Sequence, residues 1–274
     1  AAPATGGAQR AAPDTTDNFR WLEEMHGDRA MAWVKAENAK TAAVLEHDPR
    51  YADIYRSALE MAQATDRLPY ARWIGGELYN FWQDSSHVRG VWRRTTLASY
   101  RSAAPEWTTV LDLDSLAKAE NANWVWQGAA CLRPAERRCL LLLSDGGEDA
   151  STVREFDVGT RTFVKEGFSL PKGKQRLTWL SQDTILVSRE WSPGEVTTSG
   201  YPFIVKRLAR GQPLAGAVEI FRGASTDGGY GVTPATLVDA KGNRATFIVR
   251  PLDTFASEKY LVRSNDVVRL SMPP

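Results

Sequence analysis

The pattern of apolar and polar positions changes once along this chain, near residue 68. Before that point apolar residues recur at spacings of three and four, the period of one helix face. Asp14-Thr15-Thr16-Asp17 offers N-cap residues ahead of a first helical stretch, Phe19-Arg20-Trp21-Leu22-Glu23-Glu24. Asp28 can cap a second helix, with Met31, Val34, Ala39, Ala42 and Leu45 as a loose apolar stripe up to Asp48-Pro49. A third runs from about Arg50 to Gln63, with Tyr51, Ile54, Tyr55, Ala58, Leu59 and Met61 on one face. Past Leu68-Pro69 the helical period vanishes. Short β-rich runs take over, among them Leu78–Trp82, Val91–Thr96, Thr184–Val187, Phe203–Val205 and Thr246–Val249, separated by Gly, Asp, Ser and Pro turns. With nothing helical expected between them, these runs predict antiparallel sheet.

The runs recur in groups that start near residues 70, 124, 177 and 230. Each group has the same internal order: a short run, the most apolar run, a polar turn, a longer amphipathic run, and a last run before a polar linker. Four strands per unit at a near-constant period is the signature of a propeller blade. A β-sandwich with coincidental spacing is the competing architecture. The expected fold is mainly β, about four blades of a β-propeller preceded by an α-helical N-terminal segment. The divisions are a leader over 1–13, a helical segment over 14–67 and a partial propeller over 68–274. No run looks like a closing strand, and Val267-Val268-Arg269-Leu270 stops at Pro273-Pro274. The chain therefore reads as cut off inside a larger propeller.

Composition adds a few limits. Of 274 residues 43% are hydrophobic, enough for a real core, and the net charge is +1, which argues against a partner bound by neutralising phosphates. Arg93-Arg94 and Lys206-Arg207 read as solvated strand positions. No apolar run approaches the roughly 20 residues that span a bilayer, so no membrane partner is expected. The leader Ala1–Pro13 is Ala, Pro, Gly and Thr with almost no large side chains, and a flexible segment is expected there. Such a leader could follow a cleaved export signal, and a trimmed chain would look the same. The compartment reads as cytoplasmic or periplasmic, with the leader leaning toward export. Cys131 and Cys139 flank a polar turn. As hairpin partners they could bridge, while two small buried hydrophobes is the plainer reading.

Catalytic chemistry is missing from the pattern. A serine hydrolase of the α/β type needs Gly-x-Ser-x-Gly at a strand-to-helix elbow. Gly167-Phe168-Ser169-Leu170-Pro171 and Gly223-Ala224-Ser225-Thr226-Asp227 both lack the second glycine. His26 and His47 fall at helix ends, where solvation or C-capping is the natural role, and His87 lies in a polar turn. The histidines and cysteines show no metal-ligand spacing, so no metal and no cofactor is expected. Asp145-Gly146-Gly147-Glu148-Asp149 reads as a hairpin turn rather than a calcium loop. Trp73, Trp82, Trp92, Trp124, Trp126 and Trp179 sit in strand runs, where inter-blade packing is a commoner use than a ligand platform.

Several motifs resemble the prolyl oligopeptidase family. Asn18-Phe19-Arg20-Trp21-Leu22-Glu23 is similar to the family's opening Pro-Tyr-Arg-Trp-Leu-Glu, and Trp33-Val34 and Glu37-Asn38 follow in the next helix. Phe81-Trp82-Gln83-Asp84 and Gly90-Val91-Trp92-Arg93-Arg94-Thr95 resemble its first blade, and Val153-Arg154-Glu155-Phe156-Asp157 its second. Asn18 departs from the usual proline, which touches only the helix start. The resemblance implies a serine peptidase that cleaves short peptides, typically after proline. In it a seven-bladed propeller caps a C-terminal α/β-hydrolase domain and filters substrates by size. The triad of that family follows the propeller, so no catalytic residue carries over to this chain. A stand-alone propeller-like binding module without catalytic activity is the alternative reading.

The resemblance also implies which side would meet substrate. In a four-stranded blade the loop from second to third strand emerges on the same face as the linker to the next blade. That face is expected to carry Asp84–Arg89, Asp145–Asp149, Trp191–Ser199 and Pro251–Ala256, plus the linker Phe168–Arg176. Three side chains there suit a short peptide: Arg176 for a carboxylate or carbonyl, Trp191 and Phe255 for a proline ring. The plain alternative is that all three pack or point to solvent. If a missing peptidase domain covers the helices, Trp21, Leu22, Trp33, Val34 and Ile54 should be partly exposed.

Overall fold

The computed structural model describes residues 17–24, 26–264 and 266–271. The leader over 1–13 and the capping residues Asp14, Thr15 and Thr16 lie outside them. The chain divides into two compact units, residues 1–64 and 65–274.

In the first unit the expected opening helix is only a 3-10 turn, Arg20–Glu23. Asp17 Oδ1 accepts from the Phe19 amide at 2.8 Å, and the Trp21 indole N–H donates to the Asn18 carbonyl at 3.0 Å. A stretch this short before Gly27 cannot offset helix nucleation. Helix α1 spans Asp28–Leu45 and α2 spans Tyr51–Gln63. Gly27, not Asp28, is the N-cap of α1; Asp28 sits in the first turn, where its charge favours the helix dipole. His47 Nδ1 lies 2.7 Å from the Ala43 carbonyl, capping the end of α1. Trp21 meets Trp33 edge-on at 6.2 Å and carries the Arg29 guanidinium on its face at 4.2 Å. Ala30 is the one buried residue among those described in this unit, while Trp33, Val34, Ile54, Leu59 and Met61 are exposed and Trp21 and Leu22 half-buried.

The second unit is built of antiparallel strands in sequential order. The first sheet is β1 Arg72–Ile74, β2 Glu77–Trp82, β3 Val91–Thr95 and β4 Thr108–Asp112. The next is β5 Trp124–Cys131, β6 Arg138–Asp145, β7 Ser151–Asp157 and β8 Thr162–Phe163, with β9 Ser169–Gly173 also paired to β7. The third is β10 Gln175–Ser181, β11 Thr184–Arg189, β12 Ile204–Ala209 and β13 Val218–Arg222. The last is β14 Thr233–Val238, β15 Arg244–Pro251, β16 Ser257–Val262 and β17 Val267–Arg269. Most of the linker expected over Phe168–Arg176 is thus strand, because β8 and β9 divide the free edge of β7 between them.

Two short helices interrupt the sheets, contrary to the purely β expectation: α3 Leu97–Tyr100 and α4 Leu113–Glu120. Their caps explain them. Thr96 Oγ1 accepts from the Ser99 amide at 3.2 Å, and Asp112 Oδ1 from the Ser115 amide at 2.9 Å. Asn121, at φ 49°, closes α4 in the left-handed conformation.

Sheets stack face to face along three apolar seams. Alternation along a strand sends successive side chains to opposite faces, so a second strand between two neighbours is apolar throughout. In β6, Cys139 and Leu141 meet Tyr79, Trp92 and Val110 of the first sheet, while Leu140 meets Trp179, Ile185 and Val187 of the third. In β11, Ile185 and Val187 face back, and Leu186 faces forward to Val232 and Ile248. This explains why the second run of each group is the most apolar. Trp92 and Trp179 are core, and the Trp179 indole N–H donates to the Ala130 carbonyl at 2.8 Å. Trp73 does not pack as expected and is exposed, in the three-residue strand β1.

Cys131 and Cys139 are register partners across the β5–β6 hairpin and form a disulfide. The reading as two free buried residues is therefore corrected: the polar turn places them opposite each other, where cross-strand side chains come closest.

Candidate substrate-facing loop cluster

Because neighbouring strands alternate in direction, the second-to-third loops and the inter-sheet linkers emerge at one end of the sheets. They are loops 83–90, 146–150, 190–203 and 252–256, with linkers 113–123, 164–174 and 223–232.

Loop 83–90 is organised by Asp84. Its Oδ1 accepts from the amides of Ser86 (2.9 Å) and His87 (2.8 Å) and lies 3.0 Å from His87 Nδ1. Its Oδ2 accepts from the Trp82 indole at 2.9 Å. Burial alone would raise this carboxyl, but the hydrogen bonds from His87, Trp82 and the two amides outweigh it and hold the pKa at about 2. The next linker is fastened by Asp114, whose carboxylate accepts from the Arg89 amide at 3.0 Å and the Gly90 amide at 3.3 Å. Gly90 has φ +105°, and a Cβ there would lie 2.3 Å from the Phe81 ring.

The sheets beyond are joined by a chain of charged and aromatic contacts. Lys172 pairs with Glu148 at 2.7 Å, and Lys174 with Asp149 at 3.7 Å. Lys174 Nζ also sits 4.4 Å from the Tyr201 ring, and the Tyr201 hydroxyl donates to Asp149 at 3.3 Å. Tyr201 meets Tyr230 edge-on at 5.6 Å. Partial burial, then Asp149, push the Tyr201 phenol up, and Arg176 opposes that shift. Linker 223–232 is locked by Asp227, which takes a two-pronged bond from Arg250 at 2.8 and 2.7 Å. Burial opposes ionisation of Asp227, but the Arg250 bonds and the Ala224 amide prevail and its pKa is lowered.

The three side chains singled out by sequence all stand at this end. Arg176 is the second residue of β10, half-buried, with one guanidinium N–H donating to the Gln175 carbonyl at 3.3 Å. Trp191 follows β11 and packs against the seams on both sides of the third sheet; its indole N–H donates to the Ile204 carbonyl at 3.0 Å. Phe255 is 97% exposed at the tip of loop 252–256, whose backbone is held by Asp253 Oδ1. Among the described residues no hydrogen bond, ion pair or ring contact joins the three. Sequence reasoning missed Lys174, Tyr201 and Tyr230, which build the centre of the cluster. Their one signal was position, since each falls in a loop or linker of the same end.

Four antiparallel meanders stacked through apolar seams define a stretch of β-propeller. The chain belongs to the prolyl oligopeptidase N-terminal beta-propeller domain family, whose model matches residues 7–228. An uncharacterized peptidase of Sinorhizobium fredii is 52% identical over 221 residues, covering 80% of this chain and 30% of that protein. An uncharacterized peptidase of Rickettsia prowazekii is 28% identical, covering 93% of this chain and 37% of its own length. Among solved structures, a post-proline cleaving enzyme from Rickettsia typhi superposes with a TM-score of 0.84 at 27% identity, over 93% of this chain and 38% of that one. The chain thus spans about a third of the length of these relatives.

Proposed function

We propose that this chain is the substrate-gating propeller portion of a serine endopeptidase that cleaves short peptides after proline. The reacting groups lie in a C-terminal α/β-hydrolase domain that completes the enzyme. The observation that carries this reading is the likeness to the post-proline cleaving enzyme, 27% identical with a TM-score of 0.84. The loop cluster supports it chemically, since one end of the sheets combines cations, aromatic rings and an unoccupied Phe255 side chain. A short peptide would be met there by Arg176 through a carbonyl or carboxylate and by Phe255 through a proline ring. Trp191 would shape the loop from below. The exposed faces of α1 and α2, with Trp33, Val34 and Ile54, would dock on the same hydrolase domain.

The test uses the full-length enzyme and a blocked Gly-Pro chromogenic peptide. Arg176→Ala and Phe255→Ala should each raise KM about three- to tenfold with kcat and melting temperature held, the mark of lost ground-state binding. Unchanged KM in both variants would remove these residues from the substrate path. Failure of the full-length protein to cleave any proline-containing peptide would favour a binding module.

A further inference from the structure

Between the third and fourth sheets, with most of its lining toward the end opposite the loop cluster, lies a groove of about 730 Å³. One wall is the whole of β13, the outermost strand of its sheet, so the groove runs the length of five extended residues. The other wall comes from β15, β16 and the start of β17. Its floor is apolar: Ile220 and Phe221 face Tyr260, the two rings 4.6 Å apart.

The rim is cationic and short of counter-charge. Among the described residues Arg207 donates only to a backbone carbonyl, that of Ser264, at 3.4 Å. Arg244 likewise binds carbonyls, of Leu180 at 3.0 Å and of Arg133. The Arg263 guanidinium has no hydrogen bond or ion pair among the described residues. Of the two acidic groups in the groove, Glu219 pairs with Arg222 at 2.7 Å, while Asp266 keeps its charge, its Oδ1 accepting from the Val267 amide at 2.8 Å, so the four arginines of the lining outnumber the carboxylates. Elsewhere at this end Arg137 carries Asp157, and Arg210 carries Glu155 and Asp183. Among the described residues, three guanidiniums without an ion-paired carboxylate thus surround one apolar trough.

We propose that this groove binds an extended acidic peptide segment, its carboxylates on Arg207, Arg244 and Arg263 and an apolar side chain on Phe221 and Tyr260. A free phosphate would use the cations but not the trough, and a five-residue edge with apolar floor fits a chain rather than a point charge. The proposal is independent of the peptidase reading, because none of the residues that line the groove belongs to the loop cluster.

The experiment is fluorescence anisotropy with a fluorescein-labelled hexapeptide of four glutamates, a leucine and a phenylalanine, at low salt. The expected result is saturable binding that weakens about tenfold or more in the Arg207→Gln/Arg263→Gln double variant, with its melting temperature unchanged. The analogue with glutamine for glutamate should lose a similar factor, and the analogue with glycine for leucine and phenylalanine should also bind less tightly. Equal affinity of wild type and double variant would overturn the proposal. So would equal binding of the glutamine analogue, or displacement by inorganic phosphate with no dependence on the apolar pair.

Discussion

Replacing Asp84 with asparagine keeps its shape and removes its charge. In the folded chain four donors converge on this carboxylate at 2.8–3.0 Å, from Trp82, Ser86 and His87. They hold its pKa at about 2, against 3.8 for a free aspartate. A difference of nearly two units is worth about 2 kcal/mol, since each unit is about 1.4 kcal/mol. Folding lowers this pKa, so the stabilisation is complete above the unfolded value and drains away as pH falls through 3.8 toward 2. Linkage gives a contribution of about 2 kcal/mol at pH 7 and about 1 kcal/mol at pH 3. Urea unfolding followed by tryptophan fluorescence, on wild type and Asp84→Asn at both pH values, isolates the term, because every other carboxylate titrates alike in the two proteins. The variant should be destabilised by about 2 kcal/mol at pH 7, and the gap should close by about half at pH 3. A gap that is small at pH 7, or that does not change with pH, would refute the account of this loop.

Further outcomes follow from single contacts. Gly90→Ala should cost about 2 kcal/mol or more in the same urea assay, because its Cβ would strike the Phe81 ring at a positive φ. Ser188→Ala should be neutral or stabilising by up to about 1 kcal/mol, since the Ser188 hydroxyl is fully buried with no partner among the described residues; a clear loss would refute this. Leu141→Ala, at a fully buried seam position, should cost about 3 kcal/mol. Denatured, unreduced protein should take up no iodoacetamide, and two equivalents per chain after reduction, by intact mass.

The fold was largely legible because blade strands carry two signals at once. β6 and β11 read as unbroken apolar runs since both their faces are buried, and the turns between runs are marked by glycine and aspartate. Helix α4 was missed although Asp112 and Asn121 bracket it, because eight residues are too few for a period to stand out. The Cys131–Cys139 bond depended on hairpin register, which spacing alone leaves open. The loop cluster was legible as a set of positions but not as contacts. Lys174, Tyr201 and Tyr230 come from different segments, so only the stacking of the sheets brings them together.

The central claim is that this propeller segment serves a serine peptidase whose nucleophile lies outside residues 1–274. A fluorophosphonate probe, which labels only an activated serine, tests it directly. Applied to the full-length protein and to this chain side by side, with peptide mapping of the adduct, it should label one serine beyond Pro274 and leave the chain unmodified. Stoichiometric labelling of any serine within the 274 residues, or no labelling of the full-length protein, would contradict the account.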